Sequence, residues 1–290
     1  MNLKELDPTS GPWAPFGVQL RRSRKAAGLT QAQLARLVGV DPSYVSYAEL
    51  APPDRTPPSE KFARDADRVL ETGGTLLLMW LQVKHSALLE GFPEFANQEQ
   101  SATEIRIYEA GVIPGHFQIE PYARALAVGD VRRGTITQQQ ADERVTYLLT
   151  RQQLLLQRVR PPLVHAVLDE SCLHRPIGGR EVMMAQLARL EELYAVSNVI
   201  IQIAPFALAE ERPFALPIVL LTLSDRSLLG YSESEGRSHL ERDTERLALW
   251  RKHYDRLQVG ALSETATLEW MRAARKGIEC PTSTWPLPIG

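Results

Sequence analysis

Asp169 and Glu170 close the apolar run "LVHAVLDE", and His174 follows four residues after Glu170. Two carboxylates and an imidazole so placed could move protons as general acid and base. The structural alternative has one carboxylate capping the short segment "SCLHR" while the histidine lies at the surface. Among His85, His116, His165, His174, His239 and His253 there is no i, i+4 pair, and Cys172 and Cys280 form no CxxC. Neither a metal centre nor a disulfide framework is expected from such spacing. "PIGGRE" has neither the lysine of a P-loop nor GxGxxG spacing, and reads as a turn into the next helix. Cys172 reads as a small core residue. The expectation is a chain that is no enzyme and holds no cofactor or metal.

A second chemistry is readout of base edges. Ser43, Tyr44, Ser46 and Tyr47 cluster in "DPSYVSYAEL". Their hydroxyls can donate or accept in a major groove, and tyrosine rings can pack on thymine methyls. Each tyrosine could equally be a packing residue. Arg21, Arg22, Arg24 and Lys25 supply a local positive field, and Arg55 is the lone cation of "LAPPDRTPP". The cluster has no Arg, Lys, Asn or Gln of its own for bidentate base contacts.

Such residues need helices to present them. Thr30 is placed to cap a helix over 31–38, and Gln33 stands where a capping box wants it. Gly39 ends that helix, Asp41 caps the next, and Pro42 takes its first turn. Two short helices joined by a glycine turn make a helix-turn-helix. Val45 and Ala48 then face inward, leaving the hydroxyl residues outward. Gln31, with the N–H groups at its helix start, is a phosphate clamp in this geometry.

The stretch "LRRSRKAAGLTQAQLARLVGVDPSYVSYAE" resembles the Xre-type, lambda-repressor-like helix-turn-helix regulators. Gly28, Leu29, Thr30, Gln31, Leu34, Ala35, Gly39, Val40, Val45, Ser46 and Glu49 fall where that family places such types. The resemblance implies a structural ion pair between Arg24 and Glu49. It also implies double-stranded DNA as partner. One such reader covers a half-site, so a homodimer on a repeated operator is expected.

Beyond residue 100 the texture changes. "EIRIYEAGVIP", "LVHAVLDE", "NVIIQIAPF" and "LPIVLLTL" read as strands. Helical stripes separate them. Val145, Leu148, Leu149, Leu155, Leu156 and Val159 form one within 140–159, and Met183, Leu187, Leu190 and Tyr194 another within 180–194. A third, within 238–258, comprises Leu240, Leu247, Trp250, Tyr254 and Leu257. "SESEGRSHLERDTER" reads as a charged loop entering that third helix. The fold class expected is multidomain: an all-α helix-turn-helix domain, then a mixed α/β (α+β) domain. The boundaries read as a loose leader over 1–15, the reader over 16–74, the second domain over 75–276 and a tail over 277–290. The helix near 75–90 could pack on either side of its boundary.

"EIRIYEAGVIPGHFQIEPYARAL", "VLDESCLHRPIGG" and "WRKHYDRLQVGALSETATLEWM" resemble the C-terminal domain of actinobacterial WhiJ-like regulators. That resemblance implies a small cognate protein partner, in an arrangement likened to toxin–antitoxin pairs or developmental switches. Phe117, Ile119 and Tyr122 either line a groove for such a partner or pack the domain. A ligand pocket sensing a small molecule is the competing account.

With a net charge of −2 over 290 residues, nucleic-acid binding must come from a local patch rather than from the whole surface. "LLLMWLQV", the greasiest segment, is far short of the ~20 residues a membrane-spanning helix needs. No signal-peptide-like run is present at the N-terminus, and a cytoplasmic repressor is the expectation.

Overall fold

The computed structural model describes residues 13–50, 58–84, 92–156, 158–234 and 237–279. The chain divides into two compact units, Met1–Leu88 and Leu89–Gly290. Among the described residues, no helix is long and apolar enough to cross a membrane.

The described residues of the first unit form helices only: α1 (Ala14–Ala26), α2 (Gln31–Val38), α3 (Pro42–Leu50), α4 (Glu60–Leu70) and α5 (Thr75–Lys84). Local sequence sets each boundary. Both bonds of the Thr30–Gln33 capping box form at the start of α2. Gly39 ends it with a φ of 72°, a left-handed conformation that costs glycine little. Asp41 Oδ1 then accepts the Ser43 N–H at 2.8 Å, and Ser59 Oγ accepts the Phe62 N–H at 3.2 Å. Phe16, Leu20, Leu34, Ala35, Val45 and Ala48 are fully buried and form part of the apolar core.

In the first unit two expected boundaries move. Ala14 and Pro15 belong to α1 rather than to a leader, because Pro15 occupies its first turn and the Trp13 ring before it meets Phe16 and Trp80. The division after residue 74 shifts to Leu88. Its cause is Asp67, whose carboxylate accepts the N–H groups of Leu76 and Leu77 at 2.9 and 2.7 Å. Trp80 adds a bond from its indole N–H to the Pro58 carbonyl at 2.6 Å. So α5 packs with the reader.

The second unit is α+β. It runs α6 (Phe92–Glu99), β1 (Ala102–Glu109), α7 (Glu120–Arg132), α8 (Gln138–Leu156), β2 (Leu163–Asp169), α9 (Ser171–His174) and α10 (Arg180–Leu193). There follow β3 (Val199–Ala204), β4 (Ile218–Leu223), β5 (Leu228–Ser234), β6 (Arg237–Glu241), α11 (Thr244–Gly260) and α12 (Glu264–Glu279). One six-stranded sheet has the order β3-β2-β1-β4-β5-β6. β1, β2 and β3 are mutually parallel, and the remaining pairs are antiparallel.

Side chains alternate across the sheet, as the period of two requires. Ile105 and Ile107 of β1, with Leu221, Leu229 and Tyr231, join one core that includes residues of α6, α10 and α12. Tyr108, Ile218 and Leu220 face the other way, onto Leu247, Tyr254 and Leu257 of α11.

The four apolar runs expected as strands are β1 to β4. The charged "SESEGRSHLERDTER" is not a loop: much of it is the β5–β6 pair, and Leu240 sits on β6 rather than on the α11 stripe. The edge strand β6 and the Ser232–Ser234 end of β5 are polar and lack the apolar alternation by which the others are read. Val159 is 99% exposed beyond the end of α8. Within the stripes of 140–159 and 238–258, Val145, Leu155, Leu247, Tyr254 and Leu257 are buried and belong to the core. Of the tail expected over 277–290, residues 277–279 belong to α12 and the rest lies outside the described residues. Phe117 and Tyr122 are buried and Ile119 packs on the same core. The groove reading of these three is therefore corrected: their side chains hold the domain together.

Candidate nucleic-acid interface

Everything in the reader converges on Glu49, which is fully buried near the end of α3. Its Oε1 receives Arg24 Nε at 2.5 Å. Its Oε2 receives Arg24 Nη2 at 3.1 Å, Gln31 Nε2 at 2.8 Å and Arg21 Nε at 3.3 Å. Arg24 also donates from Nη1 to the Leu29 carbonyl at 2.6 Å. A buried carboxylate is tolerable only when so paired and hydrogen-bonded. The result ties α1, the start of α2 and the end of α3 into one rigid frame.

Close backbone approach supports the frame. A Cβ on Gly17 would lie 2.4 Å from the Glu49 carbonyl oxygen, so α1 can cross α3 there only because residue 17 has no side chain.

The sequence-expected contact residues separate into two groups. Ser43 is exposed, and Ser46 and Tyr47 are half-buried, on the outer side of α3. Tyr44 is engaged elsewhere: its hydroxyl oxygen accepts the Ser59 N–H at 2.9 Å, and its ring meets Phe62 edge-on at 5.0 Å. That makes it a strut between α3 and α4. The side-chain amides and guanidiniums of Gln31 and Arg21 point to Glu49, so a phosphate at the start of α2 would meet backbone N–H groups first. Arg22 and Lys25 are exposed on α1. Arg55 lies outside the described residues.

Arg36 was not singled out by sequence reasoning, yet it is an exposed cation on α2. Its signal was available, since it occupies a polar position in "QLARLV" opposite the buried Leu34, Ala35 and Val38. The surface therefore combines hydroxyls on α3 with cations on α1 and α2. Hydroxyls can read base edges, and cations neutralise phosphates.

In the second unit the carboxylates considered for acid–base work are already engaged. Asp169 accepts the Ser171 N–H at 3.0 Å and pairs with Arg212 at 2.8 Å. Glu170 accepts the Phe206 N–H at 2.7 Å and lies 3.3 Å from His174 Nε2. Both are buried and brace the end of β2. Cys172 is buried, and burial pushes its thiol well above the ordinary range. Among the described residues no group of three or more His, Cys, Asp and Glu could hold a metal ion.

A buried cluster that sequence spacing did not suggest joins α6, the loop after β1, and α8. Glu99 is paired with Arg151 at 2.5 and 2.6 Å and with His116 Nε2 at 2.7 Å. The Arg151 guanidinium lies over the rings of Phe92 and Phe95, at 5.1 and 5.5 Å. The neighbouring Arg151 and His116 hold the Glu99 carboxyl well below its ordinary value, against the opposing effect of burial.

Comparison with known proteins agrees with this division. A model described as a helix-turn-helix domain matches residues 15–79, which supports a DNA-binding reader. A model described as a domain of unknown function, DUF5753, matches residues 92–273, more than half of the chain. No curated protein and no solved structure matches the chain. The chain thus belongs to the DUF5753 family and carries a helix-turn-helix domain ahead of that domain.

Proposed function

We propose that this protein is a sequence-specific, non-enzymatic transcriptional regulator of the Xre type, acting in the cytoplasm as a homodimeric repressor. In this reading the second unit, likened to WhiJ-like regulators, receives a signal from a small cognate protein. The observation that carries the DNA half is the Glu49 frame. It fixes α2 and α3 as a rigid helix-turn-helix, with Ser43, Ser46 and Tyr47 on the outer side of α3. A helix so held can enter the major groove while its predecessor spans the backbone. The homodimer rests on geometry alone, because one reader covers only a half-site.

The test is selection of bound duplexes from random double-stranded DNA, followed by titration of the recovered site. A discrete repeat, bound with lower affinity by Ser43→Ala and Tyr47→Ala variants that stay folded, is the expected result. Recovery of no preferred sequence would overturn the reading. A small-molecule signal is the second account, favoured by a cleft in the second unit.

A further inference from the structure

The sheet of the second unit ends, on its α6 side, at a partly open cleft of about 330 Å³. This is the small end of the range for organic ligands. It lies beyond the carboxyl end of β1, where open sheets with parallel strands tend to bind ligands.

Strand register decides what points into it. Ile107 pairs with Val219, which pairs with Tyr231. Glu109, Pro217 and Glu233 continue as the next row on the same face, two residues along, and all six line the cleft. With strands about 4.8 Å apart, the two glutamate Cα atoms lie roughly 10 Å from each other. Phe92, Phe95 and Leu148 supply the apolar wall opposite, and Phe95 stacks on Tyr231 at 4.1 Å.

The charges are unbalanced. Arg151 also borders the cleft, but it is spent on the buried Glu99, as is His116 Nε2. Glu233 has a hydrogen bond from the Tyr231 hydroxyl at 2.5 Å and no ion pair to a described residue. Glu109 likewise has no ion pair to a described residue; what faces it is the like charge of Glu233. Among the described residues, the cleft thus offers an apolar wall and two carboxylates with no direct ion pair, Arg151 acting on Glu233 only from a distance while it pairs with Glu99.

We propose that this cleft binds a small organic cation, an ammonium or guanidinium group on an aromatic or branched apolar body, between Glu109 and Glu233. The cationic head would supply charge-assisted hydrogen bonds to the two carboxylates, and the body would lie against the half-buried Phe92, Leu148 and Val219 of the lining. An anion would meet two carboxylates and find Arg151 already neutralised. The proposal stands independently of how the first unit reads DNA.

Ligand state should couple to protonation. Burial and the Glu233 charge raise the Glu109 carboxyl to about 8. The other titratable and charged groups about it are Tyr231, Glu233, His116 and Arg151 in the cleft, and Tyr122, Cys172 and Arg175, whose guanidinium lies against Gly111, behind it. A bound cation favours the ionised carboxyl, so binding releases a proton and tightens with rising pH.

The experiment is a ligand-observed NMR titration of the full chain with phenethylammonium, 3-phenylpropionate and magnesium chloride in parallel. Phenethylammonium is expected to bind one per chain, more tightly at about pH 8 than at about pH 6. Glu109→Gln and Glu233→Gln are each expected to weaken it about tenfold. Val219→Phe, which fills the cleft and keeps both carboxylates, is expected to block it. Circular dichroism checks that each variant is folded. Equal or tighter binding of 3-phenylpropionate, a response to magnesium alone, unaltered affinity in both glutamine variants, or no binding of phenethylammonium at about 1 mM would each overturn the proposal.

Discussion

At the scale of single residues, the buried charges make opposite demands on the fold. Glu49 is surrounded by donors from Arg21, Arg24 and Gln31, so removing it leaves a buried guanidinium without its partner. Glu49→Ala is expected to cost about 3–5 kcal/mol of stability in the first unit, read by chemical denaturation. A loss below about 1 kcal/mol would show that the frame behaves as a surface ion pair. Tyr44 and Tyr47, alike in sequence, should separate. Tyr44→Phe removes the acceptor of the Ser59 N–H and is expected to cost about 0.5–1.5 kcal/mol with operator affinity retained. Tyr47→Ala is expected to lower operator affinity instead, and the reverse pattern would exchange their roles. Glu109 lacks what Glu49 has. Its carboxyl is raised from 4.5 to about 8, so across that interval the unfolded chain ionises first and stability falls as pH rises. Glu109→Gln should therefore raise Tm at about pH 8 and leave it unchanged near pH 3.5, where the carboxyl is protonated in both states. Each kcal/mol recovered corresponds to about 2–4 °C. Superimposable pH profiles for the two proteins would show that the carboxyl is not held protonated.

Among the elements, those that obey local rules were legible from sequence. The Thr30–Gln33 box, the Gly39 turn and the Asp41 cap act within a few residues, so α2 and α3 could be placed before any packing was known. Apolar runs gave β1 to β4 for a similar reason, since each is buried along half of its length or more. What escaped depends on long-range pairing. The polar end of β5 and the edge strand β6 are strands because β4 pairs with β5 and β5 with β6. α5 joined the reader through Asp67 and Trp80, whose bonding no periodicity reports. The Glu99–Arg151 pair spans 52 positions, and the cleft combines β1, β4 and β5 in a register the sequence does not display. In the interface, Ser43 stands exposed where expected, while Gln31 turned out to brace Glu49. Capping makes its own prediction: Thr30→Ala is expected to cost about 0.5–2 kcal/mol. Restoration by Thr30→Ser, measured in the same denaturation series, would tie that loss to the hydroxyl. Failure of serine to restore stability would assign it to the threonine methyl.

For the whole molecule, modest net charge and a local basic patch lead to a salt prediction, and two units in one chain lead to a coupling prediction. Replacing the exposed Arg22, Lys25 and Arg36 with glutamine should weaken binding to all duplexes alike. It should also flatten the salt dependence by about one unit of log–log slope for each phosphate no longer neutralised. An unchanged slope would mean that other side chains neutralise the phosphates. Coupling is the stricter demand. An effector regulates only if it binds one DNA-binding state of the protein better than another, and tight binding to both states shifts nothing. If phenethylammonium in the cleft changes operator affinity by some factor, operator DNA must change phenethylammonium affinity by the same factor, because both describe one thermodynamic cycle. A factor of about 5–150 is typical of such linkage. Fluorescence anisotropy of a labelled operator, with and without saturating phenethylammonium, measures one side of the cycle, and NMR titration with and without operator measures the other. Matching factors would make the cleft the regulatory input of the reader. A factor of one on both sides, with ligand still bound, would leave the cleft a binding site and assign control of the operator to a protein partner.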